Sequence, residues 1–340
     1  MAKIAHLLDS SAYSGAEKIA IEIIENDKND ESWYISKEGP IRTILEERNV
    51  KFFLYNNFNE LKNFFRENSF DIIHCHDYKA SIKGIFLKSK SRISHIHNNS
   101  TTSKKINIKT LLYLISTLRI NKIIYVSNVT KEEFVFKKLL NNKSCVIPNW
   151  INKNERMCSE ELNRNIDILY MGRLSEEKNP MEIIRLARSL KEIKDDLKVY
   201  IVGNGDLRNQ LEEDIKNNNL ENNVYLYNFT DTPQLYMKRA KTLVVPSKWE
   251  GFGLVILEAM LNEAVVFGSC VGGIKDIIKS GKNAFFYEGN TSEKLLLNVI
   301  ENYDDYSELR KNAIKCLDSY DLSKNTNKIY SLYRELLKEI

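Results

Sequence analysis

One stretch of the chain, Pro246–Ala259 (PSKWEGFGLVILEA), combines two carboxylates and two glycines around the start of a predicted helix. Glu250, Gly251 and Gly253 follow a predicted strand, and Glu258 lies in the second turn of the helix. Glycines allow a backbone to approach a ligand closely. This pattern predicts a binding site at the junction of the strand and the helix.

The chemistry of that junction suits a phosphate flanked by hydroxyl groups. A helix beginning near Leu254 presents its first N–H groups, those of Leu254 and Val255, to an anion. Carboxylates repel phosphate but accept hydrogen bonds from hydroxyls. Glu250 and Glu258 therefore indicate a nucleotide sugar, with the sugar at Glu250 and the ribose at Glu258. The alternative is an ordinary helix N-terminus with two solvated glutamates.

A second pattern, Tyr170–Asn179 (YMGRLSEEKN), places two cations directly after a predicted strand. The strand ends at Met171 and Gly172 turns the chain, so Arg173 and Lys178 follow in a loop. A guanidinium binds phosphate oxygens as a fork and an ammonium binds them as a point charge. The pair could neutralise a departing diphosphate. The alternative is a surface arginine and a lysine that flanks a helix.

Two shorter patterns follow strands as well. Gly203 and Gly205 (IVGNG) form a tight turn that could lie near a nucleotide base or ribose. Gly15 (SGAE) follows the first strand and could bring its backbone to the diphosphate. Each pattern taken alone also fits an ordinary turn.

Histidines occur twice in an H-x-H spacing, as His74 and His76 and as His95 and His97. Such a spacing can indicate a metal site. However, the sequence contains no cluster of carboxylates and histidines at the spacing that metal ligands usually have. We therefore expect no metal.

The elements that must position these residues alternate between short apolar runs and longer helical runs. This alternation predicts an α/β protein with parallel sheets. It occurs twice, and we interpret the polar segment between the two arrays, Pro148–Asn165, as the linker. We expect a first domain over 1–160, a second over 161–318, and a final helix over 319–340 that crosses back to the first domain. In open parallel sheets ligands bind beyond the carboxyl ends of strands, where these motifs lie.

Composition excludes several classes of protein. The chain has 340 residues, of which 43% are hydrophobic and 28% charged, with a net charge of +4. This is typical of a globular protein with two cores. The five scattered cysteines form no CxxC pair, which argues against a disulfide framework or a zinc site. No run is long enough to span a membrane and the N-terminus has no signal-peptide pattern, so we expect a cytoplasmic protein.

Taken together, the motifs resemble the retaining nucleotide-sugar glycosyltransferases of family 4. Glu250 and Glu258 match the E-x7-E pair of that family, and Arg173 and Lys178 match its diphosphate clamp. Gly15 falls on its N-terminal glycine loop. The resemblance implies the GT-B fold, in which two Rossmann-like βαβ domains face each other across a cleft.

The resemblance also implies a reaction. The departing nucleoside diphosphate is stabilised by Arg173, Lys178 and the backbone near Gly253, while Glu250 orients the sugar. His97 is placed beside the transferred sugar. No protein nucleophile and no metal cofactor are needed, because the β-phosphate helps to accept the proton of the acceptor hydroxyl.

The resemblance further implies the substrates. The donor is a nucleotide-diphosphate sugar, which we expect to be UDP-linked, and it carries a hexose or N-acetylhexosamine. The acceptor is a saccharide or lipid-linked saccharide of a bacterial surface polysaccharide such as capsule, exopolysaccharide, lipopolysaccharide or teichoic acid.

The sequence departs from the family in two turns. Where the family commonly has A-x-G-x-P-V-V, this chain has LNEAVV, with Asn262, Glu263 and Ala264, and so lacks the glycine and the proline. The N-terminal loop reads SGAE rather than GGxE. These departures bear on loop geometry more than on catalysis.

A basic region in the first half of the chain could place the acceptor-binding domain at a membrane. Between Asp77 and Glu132 there are eleven Lys or Arg and no Asp or Glu. The region includes an apolar helical stretch, Ile106–Ile120, which could lie on an anionic membrane surface at the inner face of the cell membrane. The alternative is a core-packed helix with solvated lysines. No nucleic-acid-binding module accompanies the charge, so we expect no nucleic acid.

Three rival functions remain open at this point. One is a nucleotide-sugar epimerase on the same fold, and another is a non-catalytic protein that binds a nucleotide sugar or a membrane. The third is an NAD oxidoreductase, which the lack of G-x-G-x-x-G after the first strand disfavours.

Overall fold

The computed structural model describes residues 1–98 and 101–338. The chain forms two compact units, Met1–Asn149 together with Leu322–Ile340, and Trp150–Asp321. The last two residues of the predicted terminal helix, 339 and 340, lie outside the described residues.

The first unit contains a seven-stranded parallel sheet with the order β3-β2-β1-β4-β5-β6-β7. Its strands are β1 (Lys3–Leu7), β2 (Glu31–Lys37), β3 (Phe52–Tyr55), β4 (Phe70–His76), β5 (Ser89–Ile96), β6 (Lys122–Tyr125) and β7 (Ser144–Val146). The helices between and after them are α1 (Gly15–Asn26), α2 (Ile41–Glu47), α3 (Phe58–Glu67), α4 (Asp77–Gly84), α5 (Ile108–Ser116), α6 (Asn128–Glu133) and α7 (Lys137–Leu140).

The central strand β4 is buried along almost its whole length, as expected for a parallel strand covered on both faces. Alternate residues point to opposite faces. Ile73 and Cys75 join a hydrophobic cluster with Leu7. His74 and His76 point to the other face, which is therefore lined by imidazoles.

The final helix, Leu322–Lys338, belongs to the first unit. Its buried side chains recur at helical spacing and include Ile329, Tyr330 and Tyr333. The Tyr330 hydroxyl donates a hydrogen bond to the carbonyl of Ile23 in α1. These contacts hold the helix against the first sheet.

The second unit contains a six-stranded parallel sheet with the order β10-β9-β8-β11-β12-β13. Its strands are β8 (Ile166–Met171), β9 (Val199–Val202), β10 (Val224–Tyr227), β11 (Ala240–Val245), β12 (Val265–Ser269) and β13 (Phe285–Tyr287). Its helices are α8 (Lys153–Arg156), α9 (Met181–Lys191), α10 (Arg208–Asn217), α11 (Pro233–Arg239), α12 (Leu254–Leu261), α13 (Ile274–Ile277), α14 (Glu293–Glu301) and α15 (Ser307–Cys316).

The second unit begins earlier than the predicted boundary at 160, because the segment read as a linker is tied to α12. The side-chain oxygen of Asn262 accepts a hydrogen bond from the Cys158 N–H at 2.8 Å. The side-chain nitrogen of Asn262 donates to the carbonyl of Arg156 at 2.8 Å. The segment also contains the short helix α8.

Both units are parallel α/β sheets with crossover helices, so the predicted fold class is confirmed for each. Among the helices of the described residues, none combines the length and the apolar character needed to cross a membrane.

Candidate functional site

The loops that follow β8 and β11 contact each other, because these strands are neighbours in the second sheet. The amino group of Lys178 lies 2.5 Å from a carboxylate oxygen of Glu250. The side-chain nitrogen of Asn179 donates to the carbonyl of Pro246 at 3.3 Å. The structure therefore brings together two predicted site residues that are far apart in the sequence.

Arg173 lies in the same loop as Lys178 and is the more accessible of the two. Its side chain is 58% exposed, and one guanidinium nitrogen lies 3.3 Å from a carboxylate oxygen of Glu177. The Tyr170 hydroxyl donates to the carbonyl of Arg173 at 2.8 Å, which fixes the backbone. Burial raises the pKa of Tyr170, so this hydroxyl keeps its proton. The guanidinium is thus mounted on a fixed turn and open to solvent.

Helix α12 begins where its sequence predicts, and a glycine makes the turn into it. Gly253 adopts a φ of +99°, a conformation that favours glycine, and caps the helix. Leu254 and Val255 are the first two helical residues, whose N–H groups find no acceptor within a helix. The Gly273 N–H donates to the carbonyl of Glu250 at 3.0 Å, so the loop after β12 supports this turn.

Gly203 follows β9, the other neighbour of β8. A Cβ atom at this position would lie 1.9 Å from the carbonyl oxygen of Gly172. A Cβ atom at Gly205 would lie 2.4 Å from the carbonyl oxygen of Leu174. Only glycine allows this contact between the two loops. The four loops that follow β9, β8, β11 and β12 thus meet at one edge of the second sheet.

Glu258 has a partner that the sequence did not indicate. One of its carboxylate oxygens lies 3.5 Å from Nε of Arg156, and both side chains are 14% exposed. Arg156 comes from the polar segment read as a linker, which has no periodicity and no motif.

The sequence motifs also did not identify two serines, because an isolated serine belongs to no recognisable pattern. The Oγ atoms of Ser175 and Ser247 are buried and have no hydrogen-bond partner among the described residues. Ser175 follows Arg173 by two residues, and Ser247 opens the loop after β11. Buried hydroxyls are normally paired, so both fit a site that receives a polar ligand.

His97 lies directly after β5 in the first unit. Its backbone N–H donates to a carboxylate oxygen of Asp77 at 2.7 Å. Its Nε2 lies 2.9 Å from Nδ1 of His76. Burial lowers the pKa of His97 to about 3, so the ring is neutral near pH 7. A neutral imidazole can orient a hydroxyl but does not act as an acid.

Gly15 is the first residue of α1 and is exposed. The Ser14 hydroxyl donates to the carboxylate of Glu17, which stabilises this helix start. Burial and the nearby charge of Glu17 raise the pKa of Asp77 to about 7. Since β1, β4 and β5 are adjacent strands, Gly15 and His97 follow strands at the same edge of the first sheet.

All five histidines of the chain lie together on one face of the first sheet, and we call them the histidine array. They are His6, His74, His76, His95 and His97, on or directly after β1, β4 and β5. His6 is paired in register with His74, and His76 with His95. Neither the strand order nor the register could be deduced from the H-x-H spacing.

Helix α5 has four of its aliphatic side chains on the outside. It buries Thr110, Tyr113 and Ser116. Ile108 is 76% exposed, and Leu118, in the turn that follows the helix, is 84% exposed. The exposed set, which we call the apolar ridge, consists of Ile106, Ile108, Leu111, Leu112, Ile115 and Leu118. Tyr113 and Leu114 pack into the core of the first unit, so the alternative of a core-packed helix holds for that face and not for the ridge.

The turn after α12, where the sequence departs from the family pattern, keeps a glycine-like geometry. Glu263 has a φ of +64°. Its N–H donates to the carbonyl of Met260, and the Ala264 N–H donates to the carbonyl of Ala259. These bonds form a Schellman motif, which usually has glycine at this position. The departure therefore leaves the loop geometry intact.

Each half of the chain matches a family model of glycosyltransferases. Residues 153–316 match the family model described as Glycosyl transferases group 1. Residues 24–155 match the model described as Glycosyltransferase Family 4.

Several curated relatives match along most of the chain, among them one from Methanocaldococcus jannaschii and one from Escherichia coli. An uncharacterized glycosyltransferase of Methanocaldococcus jannaschii is 28% identical over 84% of this chain and 81% of its own length. The UDP-Gal:alpha-D-GlcNAc-diphosphoundecaprenol alpha-1,3-galactosyltransferase of Escherichia coli is 25% identical over 98% of this chain and 97% of its own length.

Among solved structures, Anabaena HepE in complex with UDP-glucose has a TM-score of 0.88 and 19% identity, covering 98% of this chain and all of that chain. This likeness shows a shared fold. The two family matches, the named relatives and the two Rossmann-like units together show that this chain is a glycosyltransferase with the GT-B fold.

Proposed function

We propose that the protein transfers a hexose or N-acetylhexosamine, with retention at the anomeric carbon, from a UDP-sugar to a saccharide or lipid-linked saccharide. The product would belong to a bacterial surface polysaccharide such as capsule, exopolysaccharide, lipopolysaccharide or teichoic acid. The named galactosyltransferase of Escherichia coli supports both a UDP-linked donor and a lipid-linked acceptor. The fold shared with a protein that binds UDP-glucose agrees with the donor.

The observation that carries the proposal is the meeting of four loops at one edge of the second sheet. Lys178 and Glu250 are in contact there, and the exposed guanidinium of Arg173 is fixed beside Glu177. The start of α12 adds backbone N–H groups at Leu254 and Val255. Such an edge can hold a diphosphate on one side and sugar hydroxyls on the other.

The proposed chemistry relies on fixed charges. As the glycosidic bond breaks, negative charge grows on the diphosphate oxygens, and Arg173 and Lys178 stabilise that charge. Their effect is largest in the transition state, so it raises the rate rather than the affinity. The β-phosphate accepts the proton of the acceptor hydroxyl, and the reaction needs no metal.

The carboxylates and glycines have binding roles in this proposal. Glu250 accepts hydrogen bonds from the transferred sugar, and Glu258 accepts them from the ribose. Gly203 and Gly205 leave room for the base and ribose, and Gly253 leads into the phosphate-binding helix start.

The first unit supplies two further residues in the proposal. His97, held neutral by burial, orients the transferred sugar through a hydrogen bond. Gly15 brings its backbone to the diphosphate. This unit also binds the acceptor.

We further propose that the apolar ridge rests on an anionic membrane at the inner face of the cell. Isolated apolar residues are common on surfaces, but a continuous ridge indicates an interaction site. The exposed cations Lys105 and Lys109 flank the ridge and would contact anionic headgroups. A lipid-linked acceptor would then be reached from the membrane surface, and the enzyme itself would be cytoplasmic.

A panel of nucleotide sugars tests the donor. We expect one UDP-sugar to raise the melting temperature most and to be hydrolysed slowly without acceptor, releasing the sugar with its anomeric configuration retained. Release of an epimeric sugar would identify the rival epimerase. Stabilisation by none of the panel would contradict the proposal.

Liposome co-sedimentation tests the membrane contact. Vesicles with anionic lipids should retain the protein at low salt and release it at high salt. Changing Leu118 and Ile108 to serine should abolish retention, whereas the same change at the exposed Ile193, in the second unit, should leave it intact. Equal retention of all variants would rule out the ridge.

A further inference from the structure

We propose that His6, His74 and His76 form a Zn²⁺ site in the core of the first unit. This site is separate from the proposed donor site and does not depend on the proposed function. The three side chains are fully or almost fully buried. One ring nitrogen from each of them can be chosen so that all three lie within 4.8 Å of one another.

The spacing of two of these nitrogens already matches a zinc centre. Nδ1 of His6 lies 3.2 Å from Nε2 of His76. Around a tetrahedral zinc ion, with Zn–N distances of about 2.05 Å, ligand nitrogens are separated by roughly 3.4 Å. Nε2 of His74 completes the set. It lies 3.2 Å from Nδ1 of His95, so it has to exchange this contact for the ion. Three imidazoles leave one position for water, as in other three-histidine zinc sites.

The opposite ring nitrogens are held from outside the trio. The Tyr333 hydroxyl lies 2.6 Å from Nδ1 of His74. Nε2 of His97 lies 2.9 Å from Nδ1 of His76. Histidines that bind metals usually have the second nitrogen in such a hydrogen bond, which fixes the ring and the tautomer. His6 lacks this support, because its Nε2 is buried without a partner among the described residues.

The donor set also decides which ion fits. Imidazole nitrogen suits zinc and its neighbours in the first transition row, whereas magnesium and calcium prefer oxygen. Cys75 lies between His74 and His76 in the sequence, but its side chain joins the hydrophobic cluster on the opposite face of the sheet. The site therefore has nitrogen ligands and no thiolate.

A second trio, His76, His95 and His97, satisfies the same distance criterion. It shares His76 with the proposed site, and it includes His97, which is assigned to the sugar. His6 belongs only to the first trio and His97 only to the second. Substitutions at these two positions therefore distinguish the two sites.

The test uses the full chain produced in zinc-supplemented medium, freed of loose metal with a chelating resin and analysed by mass spectrometry. We expect about one zinc ion per chain in the wild type and at least a tenfold loss in His6→Asn. His97→Asn should lose less zinc than His6→Asn, because it removes only the hydrogen bond to Nδ1 of His76. Loss in His97→Asn with retention in His6→Asn would place zinc in the second trio and overturn the proposal. A wild type without zinc would overturn it as well.

X-ray absorption at the zinc edge of the wild type tests the type of ligand even if His6→Asn fails to fold. We expect only nitrogen and oxygen neighbours at about 2.0–2.1 Å, with the scattering pattern of imidazole. A sulfur neighbour at about 2.3 Å would show that cysteine binds the ion instead and would overturn the proposal.

Discussion

Lys178 and Glu250 form an ion pair across two neighbouring loops of the second unit, although 71 residues separate them in the sequence. Both side chains are mostly shielded, at 25% and 13% exposed. A diphosphate that approaches this edge would draw the ammonium towards its own oxygens. Glu250 would then be free to accept hydrogen bonds from the sugar. The pair therefore keeps both groups ordered before the donor arrives.

Removing the cations should slow transfer far more than it destabilises the fold. We expect Lys178→Ala and Arg173→Ala each to lower kcat about 10²–10³-fold, because each removes a charge that we propose to act in the transition state. Lys248 is a matched control, since its ion pair with Glu176 joins the same loops but is exposed. Lys248→Ala should change kcat less than about twofold. Unchanged kcat in folded Lys178→Ala would refute the clamp.

Glu258 should govern nucleotide affinity. Glu258→Ala removes the acceptor that we propose for the ribose hydroxyls, and loss of a hydrogen bond to a charged group costs about 1.5–3 kcal/mol. We expect the Kd for UDP, measured by calorimetry, to rise roughly 10- to 100-fold. Glu258→Gln keeps an acceptor while losing the charge next to Arg156, so its Kd should rise less. Unchanged UDP binding in Glu258→Ala would contradict the assignment.

The sequence was sufficient for the parts of the site that follow strands directly. Strand ends and glycines identified the loops of Lys178 and Glu250, and parallel order brings such loops to one edge. Arg156 could not be found, because its contact with Glu258 depends on how an irregular segment packs on α12. The histidine array was equally hidden, since H-x-H spacing says nothing about which strands are neighbours. Nor could periodicity show that α5 turns its apolar side outwards.

Gly203 should tolerate no side chain. A Cβ atom there would overlap the carbonyl oxygen of Gly172, which belongs to a neighbouring loop and has little room to move. We expect Gly203→Ala to lower the free energy of unfolding by about 2–4 kcal/mol. Gly281→Ala is the control, because its φ is +76° but no atom lies within 4 Å of the new Cβ. Its cost should be about 1 kcal/mol, from backbone strain alone. Equal losses in urea titrations would contradict the overlap.

The histidine array should make the metal-free protein labile in mild acid. Burial lowers the pKa of His6 to about 3, and the pKa values of its neighbours in the array are also lowered. Below pH 6.5 the unfolded chain therefore binds protons that the folded chain does not. Each histidine lowers the free energy of unfolding by up to about 1.4 kcal/mol per pH unit as the pH falls.

Asp77 acts in the opposite direction over the same range. Its pKa is raised to about 7, so the folded state takes up its proton first as the pH falls. Five imidazoles outweigh one carboxyl group, and we expect a net loss of stability between pH 6.5 and 5. Urea titrations of chelator-treated protein measure it, and Asp77→Asn should steepen the loss. A stability that is constant or rises over this range would refute the prediction.

Glu263 offers a test of whether the turn after α12 still favours glycine. Its left-handed backbone costs a non-glycine residue about 1–2 kcal/mol. The side chain recovers part of this through Lys238, whose amino group lies 2.9 Å from a carboxylate oxygen and lowers the pKa of Glu263. Glu263→Gly and Glu263→Ala both lose that contact, so their difference reports the backbone. We expect the glycine variant to be more stable by about 1 kcal/mol in urea titrations.

The opposite order is expected at a regular helical position, which serves as the control. Lys311 is exposed in the middle of α15. There, glycine should be less stable than alanine by about 0.8–1 kcal/mol, because it loses more backbone entropy in a helix. The sign of the difference should therefore reverse between the two positions. If alanine proved at least as stable as glycine at position 263, the chain would not hold that residue in the left-handed conformation, and the Schellman motif that closes α12 would be wrong.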